Sequence, residues 1–145
     1  MSQPRLGQRV KKQSILASIR TYLHATGPNG FEGLVASLLA RLTGRQFRLA
    51  RSGTQGGRDL TSDDHATVVA VECKCYADTT PLDIRELVGE LSIAAIDRPD
   101  LDLWVLVATR DVDAQLHQVL QASANQRDMG AAPFRPRALE GLAVP

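Results

Sequence analysis

The sequence predicts a single α/β domain, and three features carry that expectation. Two strongly apolar runs, Thr67–Tyr76 and Leu101–Ala108, have the length of strands, and the segment between them repeats its apolar residues at helical spacing. Strand, crossover helix and strand make a right-handed βαβ unit. Phe31, Leu34, Val35, Leu38, Leu39 and Leu42 fall at i, i+3, i+4, i+7, i+8 and i+11, an amphipathic stripe that must lie on a core. The 145 residues, 43% of them hydrophobic, suffice for one domain with a full core and are too few for two comfortable ones.

Residues 1–13 are polar, basic and without apolar period, so they are expected to form a flexible arm. Ile15, Leu16, Ile19 and Leu23 then follow helical spacing to about Ala25, where Gly27-Pro28-Asn29-Gly30 breaks the pattern. The striped segment from Phe31 makes a second helix, which Gly44 is placed to stop. Three strands follow. Gln46–Arg51 alternates weakly, a glycine-rich segment leads into Arg58–Thr61, and Ser62-Asp63-Asp64-His65 supplies a turn before Thr67–Tyr76. The near-continuous apolar middle of that last strand marks it as central. Thr80-Pro81 offers an N-cap and a first helical position, with Asp83 at N3 and Leu87, Val88, Leu91 and Ala95 on one face. Leu101–Ala108 is a buried strand, and Val112 to about Arg127 is again helical through Leu116, Val119 and Leu120. The domain is therefore expected over residues 14–130. Residues 131–145, rich in proline and arginine, read as a tail, a linker or an edge strand.

Composition narrows the class of function. No apolar run approaches the roughly 20 residues that cross a bilayer, and the N-terminus lacks the apolar stretch of a secretory signal, so a cytoplasmic location is expected. The two cysteines, Cys73 and Cys75, alternate on a strand with no second pair at metal-ligand spacing, which argues against a disulfide or a zinc site. The net charge of +1 hides an asymmetry. Up to Arg51 the chain holds nine basic residues and one acid, Glu32, for +8, and the remainder carries −7. Such a division fits either a basic surface for a polyanion beside an acidic cluster, or solvated helix faces with no partner.

The chemistry converges on Asp59 and the strand Val71-Glu72-Cys73-Lys74. Side chains two apart on a strand point the same way, so Glu72 and Lys74 share a face while Cys73 turns inward. If the two segments flanking Asp63-Asp64 form a hairpin, Asp59 falls nearly opposite Glu72, because neighbouring strands lie only about 5 Å apart. Two carboxylates and an ammonium at one spot are what a hard divalent cation and a phosphodiester under attack both require. Taken alone, a bare Glu-x-Lys reads rather as an exposed cross-face ion pair on an ordinary strand, because such pairs are common and worth little; only the surrounding motifs alter that reading.

The surrounding motifs resemble a family. Phe31-Glu32, the run Gly53-Thr54-Gln55-Gly56-Gly57-Arg58-Asp59, Val71-Glu72-Cys73-Lys74-Cys75-Tyr76 and Ile84-Arg85-Glu86-Leu87-Val88-Gly89 are similar to the Mrr-like restriction endonucleases, a branch of the PD-(D/E)XK nuclease superfamily. The resemblance spans roughly residues 27–112, in order and on the expected elements. It implies a restriction-endonuclease-like three-layer α/β fold, a central mixed sheet flanked by helices, and DNA cleavage dependent on Mg²⁺, for which Mn²⁺ can substitute. It further implies Asp59, Glu72 and the backbone carbonyl of Cys73 as metal ligands, Lys74 as the catalytic lysine, and Glu32 as a helix acid completing the metal or water shell. Two positions depart from the pattern. Gln55 stands where the branch usually has an acid, and Glu72 stands where it often has glutamine, matching the wider superfamily instead.

Other candidates stay open at this point. Glu32 follows Asn29 at capping-box spacing and so reads equally as a helix cap bonding the Asn29 amide. Glycines 53, 56 and 57 suit a tight or bulged approach to a strand as well as a phosphate. Lys11, Lys12, Arg41, Arg45, Arg48, Arg51 and Arg85 are candidate DNA contacts, with solvated surface charge as the alternative for Arg85. Cys73 and Trp104 read as core, and His24, His65 and His117 have no nucleophile at suggestive spacing. With aromatics at 4%, single-strand binding by stacking is disfavoured, and a duplex held by its phosphates fits better. The leading expectation is a restriction-like endonuclease acting on double-stranded DNA in defence against foreign DNA. Cutting two strands suggests a homodimer, and the Pro/Arg-rich end makes a fused ATPase or sensor domain conceivable. A Holliday junction resolvase and a non-catalytic DNA-binding or assembly module are the alternatives.

Overall fold

The computed structural model describes residues 23, 27–50, 58–63, 66–77 and 79–134. The expected arm, most of the helix expected at 14–25 and the glycine-rich run before Arg58 lie outside these residues. Within them the order is α1 (Phe31–Thr43), β1 (Arg48–Leu49), β2 (Leu60–Ser62), β3 (Val69–Lys74), α2 (Ile84–Asp97), β4 (Leu103–Ala108), α3 (Ala114–Asn125) and β5 (Gly130–Phe134).

The five strands form one mixed sheet in the order β1-β2-β3-β4-β5. The first three strands are antiparallel, and β3, β4 and β5 are parallel, joined by α2 and α3 as crossover helices. Two βαβ units are therefore present where the sequence made one clear. Residues 130–134 belong to the sheet: of the readings open for the C-terminal segment, the edge strand holds there, and a tail or linker does not begin at 131. The reason lies in pairing. Leu103 to Val107 need hydrogen-bond partners on both sides, and Gly130–Phe134 supplies the second side.

Alternation along the strands divides the core into two layers. Val69, Val71, Val105 and Val107 pack with Phe31, Val35, Leu38 and Leu39 of α1, whereas Ala70, Trp104 and Leu106 pack with Leu87, Leu91, Leu116 and Leu120 of α2 and α3. Helix, sheet and helices make the expected three-layer α/β arrangement. Among the described residues no helix is long and apolar enough to cross a membrane.

Both ends of α1 are set by glycine. Gly44 takes φ +70° and donates its N–H to Ala40 O at 2.9 Å, the left-handed stop foreseen for it. Gly33 lies against the preceding turn, where a Cβ would come 1.9 Å from Pro28 O. The start of α2 differs from expectation. Its N-cap is Asp83, whose Oδ1 accepts from the N–H groups of Arg85 (2.9 Å) and Glu86 (3.3 Å), three residues beyond Thr80. Thr80 closes a turn onto Ala77 O instead, and Leu82, before the cap, packs on the same apolar layer as Leu87. Asp83-Ile84-Arg85-Glu86 carries the capping pattern, followed by the staple partner Leu87.

The Gly33 contact generates a test. Gly33→Ala must push back the backbone of Pro28, and overpacking of this kind costs about 1–3 kcal/mol. Denaturant unfolding of the variant is expected to show that loss; wild-type stability would mean the turn is free to move.

Candidate active site

β2 and β3 pair with Leu60 opposite Val71, which sets Asp59 opposite Glu72, as the hairpin argument anticipates. The backbone of Asp59 is held on both sides: its N–H donates to Val71 O at 2.8 Å and its carbonyl accepts from Ala50 at 2.8 Å. Its carboxylate Oδ2 accepts the Cys73 N–H at 2.7 Å. Asp59 and Glu72 stand opposite one another across the β2–β3 pair, close enough for the charge of each carboxyl to act on the other.

Glu72 and Lys74 lie on the α2 side of the sheet, and both are buried, with side chains only 9% and 10% exposed. That overturns the reading of an exposed ion pair on an ordinary strand. Cys73, on the opposite side facing α1, is half-buried, and burial together with the Asp59, Glu32 and Glu72 charges raises its thiol well above its ordinary range. It is a poor thiolate and packs as a small apolar group.

Two acids absent from the sequence-based candidates complete the cluster. Glu86 and Glu90 are one turn apart on α2, and the Lys74 ammonium stands 2.8 Å from Glu90 Oε1, 3.2 Å from Glu86 Oε1 and 3.4 Å from Glu72 Oε1. It also lies 5.9 Å from the Tyr76 ring centroid. Glu90 Oε2 is buried and has no hydrogen-bond partner, an arrangement that costs about 1–3 kcal/mol. The signal was the i, i+4 pair itself, set beside the apolar face of Leu87 and Leu91. The buried Thr109 was missed as well. It donates N–H to Lys74 O at 3.0 Å, accepts from Tyr76 N–H at 2.8 Å and donates its hydroxyl to Tyr76 O at 2.7 Å, fixing the backbone around Lys74.

The electrostatics follow from burial. It raises Glu72 from 4.5 to about 8, aided by the charges of Asp59 and Glu90 and only partly offset by Lys74. Asp59 is raised by burial against the Cys73 N–H and Glu72 hydrogen bonds, and Glu90 by burial against its bond to Lys74. For Lys74 burial pulls downward, but the Glu90 hydrogen bond and the Glu72 and Glu90 charges outweigh it and hold the ammonium above its ordinary range. Lys74 is thus held in its charged, hydrogen-bond-donating form by its carboxylate neighbours.

Glu32 is buried in the first turn of α1. The helix N-cap is Gly30, so Asn29 is not the cap, and Glu32 Oε1 accepts instead from the Gly27 N–H at 3.1 Å. Burial raises its pKa first, and the Asp59 charge adds to the rise, which brings Glu32 within electrostatic reach of the cluster.

The arginines divide. Arg45 donates to Ser62 Oγ at 3.0 Å, Ser62 O at 3.2 Å, and both Oγ1 and the carbonyl of Thr67, tying the chain after α1 to the β2–β3 connection. Arg48 pairs with Asp63 at 2.8 Å. Arg41 and Arg85 are exposed. Lys11, Lys12, Arg51, His24, His65 and Gln55 lie outside the described residues.

Asp59 beside β2 and Glu72 on β3 face one another and offer the oxygen donors that a hard divalent cation takes. Among the described residues no three His, Cys, Asp or Glu side chains are gathered into a ready-made cage. Mg²⁺ needs none, since it takes one or two carboxylates and keeps several waters. Two carboxyls held side by side on neighbouring strands are a donor set whose mutual repulsion a cation would relieve.

A carboxyl with a raised folded pKa contributes most to stability below its unfolded value, and that contribution is lost as pH rises toward the folded pKa. For Glu72 the window runs from 4.5 to about 8. In metal-free buffer the unfolding midpoint of the wild type is expected to fall more steeply between about pH 5 and about pH 8 than that of Glu72→Gln. Parallel slopes would mean that burial does not hold the Glu72 carboxyl above its ordinary range.

Comparison with known proteins agrees with this geometry. The Mrr catalytic-domain family, described as a restriction endonuclease, matches residues 23–127. No match is found among curated protein sequences. Among solved structures the chain is similar to the restriction endonuclease FokI, with a TM-score of 0.59 and 13% identity over 97% of this chain and 30% of the FokI chain. At that identity the likeness concerns the fold, and this chain spans less than a third of FokI. The family match includes every element carrying Glu32, Asp59, Glu72, Lys74 and Glu90, and the chain belongs to the Mrr-type restriction endonuclease family.

Proposed function

We propose that this chain is a metal-dependent deoxyribonuclease that hydrolyses phosphodiester bonds in double-stranded DNA. The observation that carries the reading is the pair Asp59–Glu72, set opposite one another across the β2–β3 pair, with the buried Lys74 ammonium 3.4 Å from Glu72. Asp59, Glu72 and the Cys73 carbonyl would hold Mg²⁺ or Mn²⁺. Such an ion supplies Lewis-acid charge neutralisation at the phosphate and a lowered pKa for water. Lys74, permanently charged, donates to the attacking water and offsets the negative charge that builds on the phosphorus in the transition state. Glu32, buried on α1 near enough to Asp59 for their charges to interact, would complete the metal or water shell. No covalent intermediate is required.

The cluster needs a cation for a second reason. Asp59, Glu72, Glu86 and Glu90 together outweigh the charge of Lys74, and an uncompensated acidic site repels a phosphodiester. The family and the fraction of FokI that the chain spans support a restriction-like role in defence, with this domain as the cleaving module of a larger protein or assembly.

Among the DNA contacts expected from sequence, Arg41 and Arg85 are free to reach phosphates, while Arg45 serves the fold.

Two measurements follow. Incubated with supercoiled plasmid and Mg²⁺, Asp59→Ala and Lys74→Ala are each expected to lose at least about 100-fold in cleavage rate; persistent cutting by both removes the mechanism. Binding of duplex DNA in Ca²⁺ is expected to weaken with salt, with the slope reduced by about one for Arg41→Ala or Arg85→Ala. Arg45→Ala is expected to lower thermal stability and leave that slope unchanged; a slope change there would make Arg45 a phosphate contact.

A further inference from the structure

We propose that Glu90 is a positioning residue that aims the Lys74 ammonium at the Asp59–Glu72 pair, an inference that rests on the nuclease reading above. A lysine side chain is a compact charge on a flexible four-carbon stem, so its partners decide where the charge sits. The Lys74 backbone is fixed by Thr109, which leaves the stem as the remaining freedom.

Three carboxylates compete for that ammonium, and they are unequal. Glu72 is the most distant at 3.4 Å and stands on the strand face opposite Asp59, not on a helix above the ammonium. Glu86 is 3.2 Å away, but its side chain is 49% exposed, and an ion pair so open to water holds weakly. Glu90 is nearest, at 2.8 Å, with a side chain 21% exposed. It projects from the turn of α2 that carries Leu87 and Leu91, exposed by only 1% and 0%, so its backbone is anchored in the core.

The second oxygen of Glu90 argues against a merely structural ion pair. Oε2 is buried without a partner, whereas a neutral amide or an apolar side chain on this turn would avoid burying that charge. The charge is retained where it touches the one lysine the reaction uses. Misplacing a catalytic group by about 1 Å costs on the order of 100-fold in rate.

The test compares wild type, Glu90→Gln, Glu90→Ala, Glu86→Gln and Lys74→Ala in two assays. In the first, without DNA, acetic anhydride labels lysines and mass spectrometry reads the rate at Lys74. Labelling is expected to rise several-fold in Glu90→Ala, less in Glu90→Gln and least in Glu86→Gln. An unchanged rate in both Glu90 variants, or a larger rise in Glu86→Gln, overturns the proposal. In the second, plasmid cleavage with Mg²⁺ is expected to show kcat reduced about 10- to 100-fold in Glu90→Ala with KM nearly unchanged, and partial recovery in Glu90→Gln. Thermal unfolding should stay near wild type, since an unpartnered buried oxygen is removed. Wild-type kcat in both Glu90 variants while Lys74→Ala is inactive sinks the positioning role and leaves the nuclease reading standing. Absence of cleavage by the wild type sinks the nuclease reading, and the labelling assay alone then decides whether Glu90 holds Lys74.

Discussion

The arrangement on which the rest of this structure depends is one ammonium buried among carboxylates. Lys74 meets Glu72, Glu86 and Glu90, and Asp59 stands behind Glu72. Removing charges from water is costly, and their attraction repays the cost only when geometry is tight and the remaining polar atoms are bonded. Here the geometry is tight and the bonding is incomplete, since Glu90 Oε2 lacks a partner among the described residues and Asp59 and Glu72 are like charges side by side. A protein selected for stability alone would fill this space with apolar groups. Retaining an excess of acid at the centre of the sheet is the mark of a site prepared for positive charge.

The fold supplies rigidity where this cluster needs it. β3 is flanked by β2 and β4, so the residues around Glu72 and Lys74 have neighbours on both sides. Alternation along β3 gives Val69 and Val71 to the α1 layer, and Ala70, Glu72 and Lys74 to the α2 layer. The acidic site therefore begins where the apolar layer beneath α2 ends, at the C-terminal end of a parallel strand. Thr109 closes the end of β4 over the backbone around Lys74, and Asp83 fixes the start of the helix that brings Glu86 and Glu90 down. α1 approaches from the other face and brings Glu32 within reach of Asp59.

The basic residues show how a charge count can mislead about individual side chains. Nine of the first 51 residues bear positive charge, which suggests a polyanion surface. Yet Arg45 spends its guanidinium on Ser62 and Thr67, and Arg48 on Asp63. Arg98 similarly bridges Asp63 and Asp100. These contacts lock the corner between α1, the β2–β3 connection and the end of α2. Arg41, Arg48 and Arg85 remain as exposed charge, Arg48 with its side chain 65% exposed despite the Asp63 pair.

Much of the fold was legible in the sequence because it depends on local pattern. The stripe from Phe31 to Leu42, the apolar runs of β3 and β4, and the Gly44 stop follow from helical and strand periodicity and from the left-handed freedom of glycine. The pairing of Asp59 with Glu72 was legible too, because a hairpin register follows from strand geometry. The start of α2 was read three residues early, since Thr80-Pro81 and Asp83 both carry capping chemistry and only packing of Leu82 and Leu87 chooses between them. Glu86 and Glu90 were unreadable as site residues, because a crossover helix can present an i, i+4 acid pair to water or to the sheet with the same spacing. The sequence by itself determined which residues alternate, which helices are striped, and that Glu72 and Lys74 share one strand face with Asp59 placed opposite by a hairpin. Only the tertiary structure decided that this face is buried under α2, because burial depends on which helix packs there, and that is settled by contacts distant in sequence.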